Sequence, residues 1–263
     1  MIRPIFKMRR LAGAALLGLL GMGAAYAAHA ADQRADGPLS LIISYHASPA
    51  NRAALRHELQ GEGAQGFQRL KQQGVLSDYH LLFGRYADGD NADAVAVLGF
   101  RDYAALARWN AIERTSPGGL PHKALALASS IQTAPADLVR SGGSDAAAAD
   151  SVFMVIPYQL MIPESEYVKY ADGYVIPQFE GWIKEGVLKR YEVLVDRYAA
   201  GRPWSVMVLL EYKNDAALGE REAVVARVRA RLKDDPQWKA ISDDKKHIRN
   251  ELQLVVADPL VAH

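Results

Sequence analysis

His80 and Glu192 are the residues best placed to do chemistry. They stand in two similar strand-like segments, Asp78-Tyr79-His80-Leu81-Leu82-Phe83 and Arg190-Tyr191-Glu192-Val193-Leu194-Val195. An imidazole oriented by a carboxylate can take up and return a proton near neutral pH. His46 could join such a pair as a second base. Tyr86, Tyr158, Tyr198 and Arg190 carry the donors that would hold a phenol or carbonyl of a bound compound. His57 and His247 read as surface positions, and His122, after Ser116-Pro117-Gly118-Gly119-Leu120-Pro121, is a weaker candidate. The sequence lacks G-x-S-x-G, G-x-x-x-x-G-K-[ST], H-E-x-x-H and a G-x-G-x-x-G after a strand. It also has no cysteine, which excludes a thiolate nucleophile, a zinc–thiolate site and a disulfide scaffold. No metal ligand set is expected, and no cofactor.

The elements that must position these residues are written twice. Phe67 to Leu106 lies over Phe179 to Leu218 without a gap, at the same constant shift that carries His80 onto Glu192. Gly-Val-Leu and Arg-Tyr-Ala recur in register. Each copy reads β-α-β-β-α-β. In the first, Leu39–His46 alternates as a strand, and Ser48-Pro49 opens a helix that stops before Gly74. Val75–Tyr86 and Ala94–Phe100 form a hairpin pair, and Asp102 caps a second helix. In the second, the equivalents run over Val152–Tyr158, Pro163–Glu185, Val187–Tyr198, Ser205–Tyr212 and Asp215–Leu232. An extra helix opens at Asp235-Pro236, and Leu252–Val256 is the last strand. The expected organisation is a leader over residues 1–30, repeat 1 over 38–138, a linker over 139–150 and repeat 2 over 151–260.

Period-two alternation assigns the faces. Tyr79, Leu81 and Phe83, with Tyr191, Val193 and Val195, should pack against helices. Asp78, His80, Leu82 and Tyr86, with Arg190, Glu192, Leu194 and Tyr198, should face the other way. The same test applied to the first strand turns Ser44 and His46 inward, and with them Val152, Met154, Ile156 and Tyr158. Buried polar groups without partners are costly, and a lining this polar points to a cavity.

Residues 1–30 have the layout of a secretory signal: Arg3, Lys7, Arg9 and Arg10, then an apolar run, then Ala28-His29-Ala30. Removing them shifts the formal charge from +1 to about −3. The expected product is periplasmic or secreted, with no membrane span in the mature chain and no electrostatic footprint for nucleic acid. Its oligomeric state is left open.

Two β-α-β-β-α-β units in tandem, with G-V-L-x-x-Y-x-[VL]-L entering the second strand, resemble the dimeric α/β-barrel superfamily. This group includes antibiotic-biosynthesis monooxygenases, EthD-like and YCII-like proteins, and the haem-binding chlorite dismutases. The resemblance implies an α+β fold of two tandem ferredoxin-like repeats closing an intramolecular barrel. It also implies a small, partly apolar ligand, aromatic or carbonyl, in the barrel cavity. Proton transfer, cyclisation, lysis or oxygenation without a cofactor would then fall to His80, Glu192 and His46, with Tyr86, Tyr198, Tyr158 and Arg190 binding substrate. The alternatives are a non-catalytic exported structural or interaction protein and, less favoured, a haem-binding barrel.

Overall fold

The computed structural model describes residues 39–89, 91–144 and 150–262. The expected leader lies outside these residues, as does 145–149 of the expected linker. Strand β1 (Leu39–Ala47) leads through a tight turn into α1 (Arg52–Glu58), a π-helical turn (Leu59–Gly63) and α2 (Ala64–Gln72). Then come β2 (Asp78–Gly84), β3 (Ala94–Phe100), α3 (Tyr103–Glu113), α4 (His122–Leu127) and β4 (Ala128–Gly143). The second half has β5 (Val152–Leu160), α5 (Glu164–Tyr170), a π-helical turn (Ala171–Val175), α6 (Ile176–Lys184), β6 (Leu188–Asp196) and β7 (Val206–Tyr212). It ends with α7 (Asp215–Gly219), α8 (Arg221–Leu232), α9 (Pro236–Asp244), β8 (Arg249–Glu251) and β9 (Val255–Pro259). Every boundary from α1 to α2 recurs from α5 to α6 at the shift that separates His80 from Glu192, π-turn included.

Local chemistry explains the punctuation. Asp102 accepts from the Ala105 amide at the start of α3, as its position predicts. Gly74 (φ 68°) and Gly186 (φ 88°) take the left-handed conformation just beyond α2 and α6, where a side chain would be strained. Ser48 is not the cap expected of it. Ser48 to Asn51 make a tight turn, and α1 begins at Arg52.

Following the ladder through β7-β6-β4-β1-β3-β2-β9-β5 returns to β7, so eight antiparallel strands form a closed ring. Both seams are made by last strands that pair twice. The first part of β4 pairs with β1, and its second part pairs with β6. The segment 139–143, expected as linker, is therefore strand: Ser141 lies opposite Glu192 and Gly143 opposite Arg190. Likewise β9 bridges β5 and β2, and it runs Val255–Pro259 rather than Leu252–Val256. Arg85 beside Asp258 and Arg197 beside Asp137 tie the two seams with ion pairs.

Among the described residues, three apolar clusters make up the interior. One packs Leu41, Ile43, Tyr45, Leu55, Phe67 and Trp109 between the first-half helices and sheet. A second does the same with Tyr158, Tyr167, Phe179, Trp182, Val193 and Val208. The third plugs the middle of the ring with Ile42, Leu82, Val97, Phe153, Val155 and Leu194.

These clusters correct one expectation. Met154, Ile156 and Tyr158 face the helices, and Phe153 and Val155 face inward. The connection after β1 is one residue longer than the connection after β5, so these two strands sit one step off the shift that relates the helices. A one-residue slip moves every side chain of a strand to the opposite face.

Candidate active site

β2 and β6 stand diametrically opposite in the ring, and their inward side chains meet across it. His80 Nε2 is 3.1 Å from Glu192 Oε1, and both side chains are largely buried. Arg190 Nη2 is 2.5 Å from the same His80 nitrogen. That nitrogen can donate to Glu192 or accept from Arg190, but it cannot do both at once. The protonation state of the ring therefore selects its partner. Phe153 packs 5.4 Å from the imidazole, centroid to centroid.

Arg190 is the hub of a wider network. It lies 3.5 Å from Glu192, 3.4 Å from Glu211 and 3.9 Å from Asp78. Glu211, on the inward face of β7, also accepts from Ser151 Oγ at 2.7 Å and from Lys189 Nζ at 2.5 Å. A bulge between Leu188 and Arg190 delivers both Lys189 and Arg190 to Glu211. Bulges are a common way to re-aim a side chain. Burial pushes the Glu192 carboxyl upward, but the hydrogen bond and charge of His80 and the charge of Arg190 outweigh it. Its pKa therefore falls below the ordinary value. Asp78 is lowered too: burial opposes this, and Lys71 and His80 prevail.

A half-open cavity of about 520 Å³ lies over this network, lined by Tyr79, His80, Leu82, Phe153, Arg190 and Leu260 among others. That size suits a small organic ligand. The lining combines apolar side chains with the charged Lys71, Asp78, Lys189, Arg190 and Glu211.

The remaining expected site residues are elsewhere. In the β1–β3–β2 register, Ile42 lies opposite Val97, and Val97 opposite His80. His46 is four residues farther along β1, roughly 13 Å along the strand from the level of His80 and two strands over. It lines a second cavity with Arg52, Asp93 and Ser130. Tyr86 and Tyr198, 74% and 64% exposed, lie past the ends of β2 and β6, so alternation no longer applies to them. Tyr158 is buried outside the ring, under the Arg249 guanidinium. Lys189, Glu211 and Ser151 were missed. Glu211 left a readable signal, a lone charge in the apolar strand Val-Met-Val-Leu-Leu-Glu-Tyr. The bulge that turns Lys189 inward left none.

Among the described residues, no group of three or more His, Asp or Glu could hold a metal ion, and no helix is long and apolar enough to cross a membrane. No family model matches the chain, and no curated protein matches it. Among solved structures it is similar to a monooxygenase-like protein from Lactobacillus acidophilus NCFM. That likeness has a TM-score of 0.55 and 11% identity over 86% of this chain and 95% of that one. An anthrone oxidase-like protein gives 0.51 with 14% identity over 87% of this chain and 93% of its own. A monooxygenase-like protein from Fusobacterium nucleatum subsp. nucleatum ATCC 25586 gives 0.50 with 13% identity over 85% and 93%. At such identities the likeness shows the fold, and that fold is the ferredoxin-like α/β barrel.

Proposed function

We propose that this chain binds a small carbonyl- or phenol-bearing compound at the His80 end of the barrel and catalyses a proton transfer on it without a cofactor. The observation that carries this reading is His80 Nε2 standing between Glu192 and Arg190. A substrate oxygen that accepts from Arg190 draws Nη2 away from the imidazole. The Nε2 lone pair is then open to the acidic proton of the substrate. The imidazolium so formed donates to Glu192, while Arg190 stays on the developing oxyanion. Leu82 and Phe153 supply apolar walls on the inward face. Haem does not fit His80, because its Nε2 already faces two charged partners.

The same reading takes residues 1–30 as an export signal, on the basic cluster and apolar run described above. It takes the two halves as a tandem duplication, on the helix boundaries that recur at one constant shift. A second reading, a non-catalytic exported protein, is favoured by one observation: the middle of the barrel is packed solid.

The test is mass spectrometry of small molecules released from the protein purified from its native compartment. The proposal expects a carbonyl or phenolic compound on wild type. That compound should be lost on Arg190→Met and should turn over about 10²–10⁴-fold more slowly with His80→Ala. An empty wild type, or unchanged turnover by His80→Ala, favours the second reading.

A further inference from the structure

A second polar cluster lies outside the ring, between β5, β8 and α5. The Arg249 guanidinium sits 3.8 Å above the Tyr158 ring and 5.6 Å from the Tyr170 ring. Its Nη1 is shut off from solvent and has no hydrogen-bond partner among the described residues. The hydroxyls of Tyr167 and Tyr170 are shut off too: Tyr167 lies close enough for its oxygen to accept from Arg249, but the proton of each hydroxyl has no acceptor among the described residues. The charged surroundings of Arg249 are these phenols, and no carboxylate among the described residues comes within ion-pair distance of it. Burial pushes the phenols up, Tyr158 to about 12 against the opposing pull of Arg249, so these groups remain protonated donors at neutral pH.

An unmade hydrogen bond on a buried group is expensive, and a buried cation without an anion is more so. Three such atoms in one place are therefore a coherent feature rather than scattered defects. The equivalent place in the first half is finished differently. Tyr45, the strand counterpart of Tyr158, donates to the Gly118 carbonyl at 2.6 Å, and Leu55 stands where the second half has Tyr167. Among the described residues, the second half alone collects buried side-chain donors that lack an acceptor. The π-helical turn Ala171–Val175 begins directly after Tyr170.

We infer that Arg249, Tyr167 and Tyr170 form a binding site for the carboxylate of a small organic acid, separate from the His80 site. A carboxylate brings the acceptors these donors lack and the negative charge that Arg249 lacks, in the planar form a guanidinium matches. The Tyr158 and Tyr170 rings would flank the acid.

The test is calorimetric titration of the folded wild-type chain with sodium acetate and sodium benzoate, with sodium chloride holding ionic strength constant. The Arg249 side-chain Nε–H resonance is followed alongside. Saturable binding of either acid that shifts this resonance is expected, weakened about 10- to 100-fold by Arg249→Met. The Tyr167→Phe, Tyr170→Phe double variant keeps both rings and should weaken binding about 10-fold or more, so it carries the test if Arg249→Met does not fold. His80→Ala, remote from this cluster, should leave it unchanged. A wild type that binds neither acid, or binds them as tightly in the double phenylalanine variant, overturns the proposal and leaves a site that holds water only.

Discussion

Glutamine in place of Glu192 keeps the shape of the side chain and removes its charge. At 3.5 Å from Arg190, an effective dielectric of about 20 gives an attraction of about 5 kcal/mol. Two terms reduce the loss. Burying the carboxylate itself costs several kcal/mol, which glutamine escapes, and Arg190 keeps Glu211 at 3.4 Å. A net destabilisation of about 1–3 kcal/mol at pH 7 follows, or roughly 2–12 °C in Tm for a chain of this size. The pH dependence gives a sharper test. The folded pKa of Glu192 is depressed, so its contribution is present above the unfolded value of about 4.3 and is lost as pH falls through the folded value. Urea unfolding of both proteins from pH 7 to pH 3 should therefore show a gap that closes on acidification, because protonated glutamate and glutamine are then nearly equivalent. A variant as stable as wild type at pH 7, or a gap that widens in acid, would refute this account.

Two glycine substitutions and one at a seam probe the scaffold. Gly118→Ala places a Cβ 2.8 Å from the Tyr45 ring at a φ of +63°, and should cost about 2–4 kcal/mol in urea unfolding. Gly61→Ala, with nothing within 4 Å, should be neutral or gain about 0.5–1 kcal/mol in the same assay. Arg197→Ala removes the Asp137 pair at one seam and should lower stability by about 1–2 kcal/mol. Calorimetry should still show one transition for it, since both halves share the ring.

Much of this was legible because strand alternation and a repeat in register are strong signals. The apolar faces of β2 and β6, the helix ends at Gly74 and Gly186, and the approach of His80 to Glu192 all follow from them. What escaped depends on single residues or on tertiary pairing. One extra residue between β1 and α1 turned Tyr158 from the ring to the helices. Tyr86 and Tyr198 continue an alternation that the backbone has already left. Ser141-Gly142-Gly143 has the composition of a linker. It is held as strand by β6, a partner that local sequence does not reveal. Lys189 and Arg190 share an orientation only through a bulge, which period-two reasoning cannot anticipate.

The closure of the ring within one chain has a consequence for the kind of site it can hold. Two identical chains forming such a barrel about a twofold axis would set each inward side chain of the second strand against its own copy. Histidine would face histidine, and arginine would face arginine with like charges close together. Here the positions that face each other across the axis encode different residues: His80 meets Glu192 at 3.1 Å, and Asp78 lies 3.9 Å from Arg190. Acid and base can be placed opposite one another because each half mutates alone. At positions that face their own copy across the axis, identical subunits have no route to that complementarity.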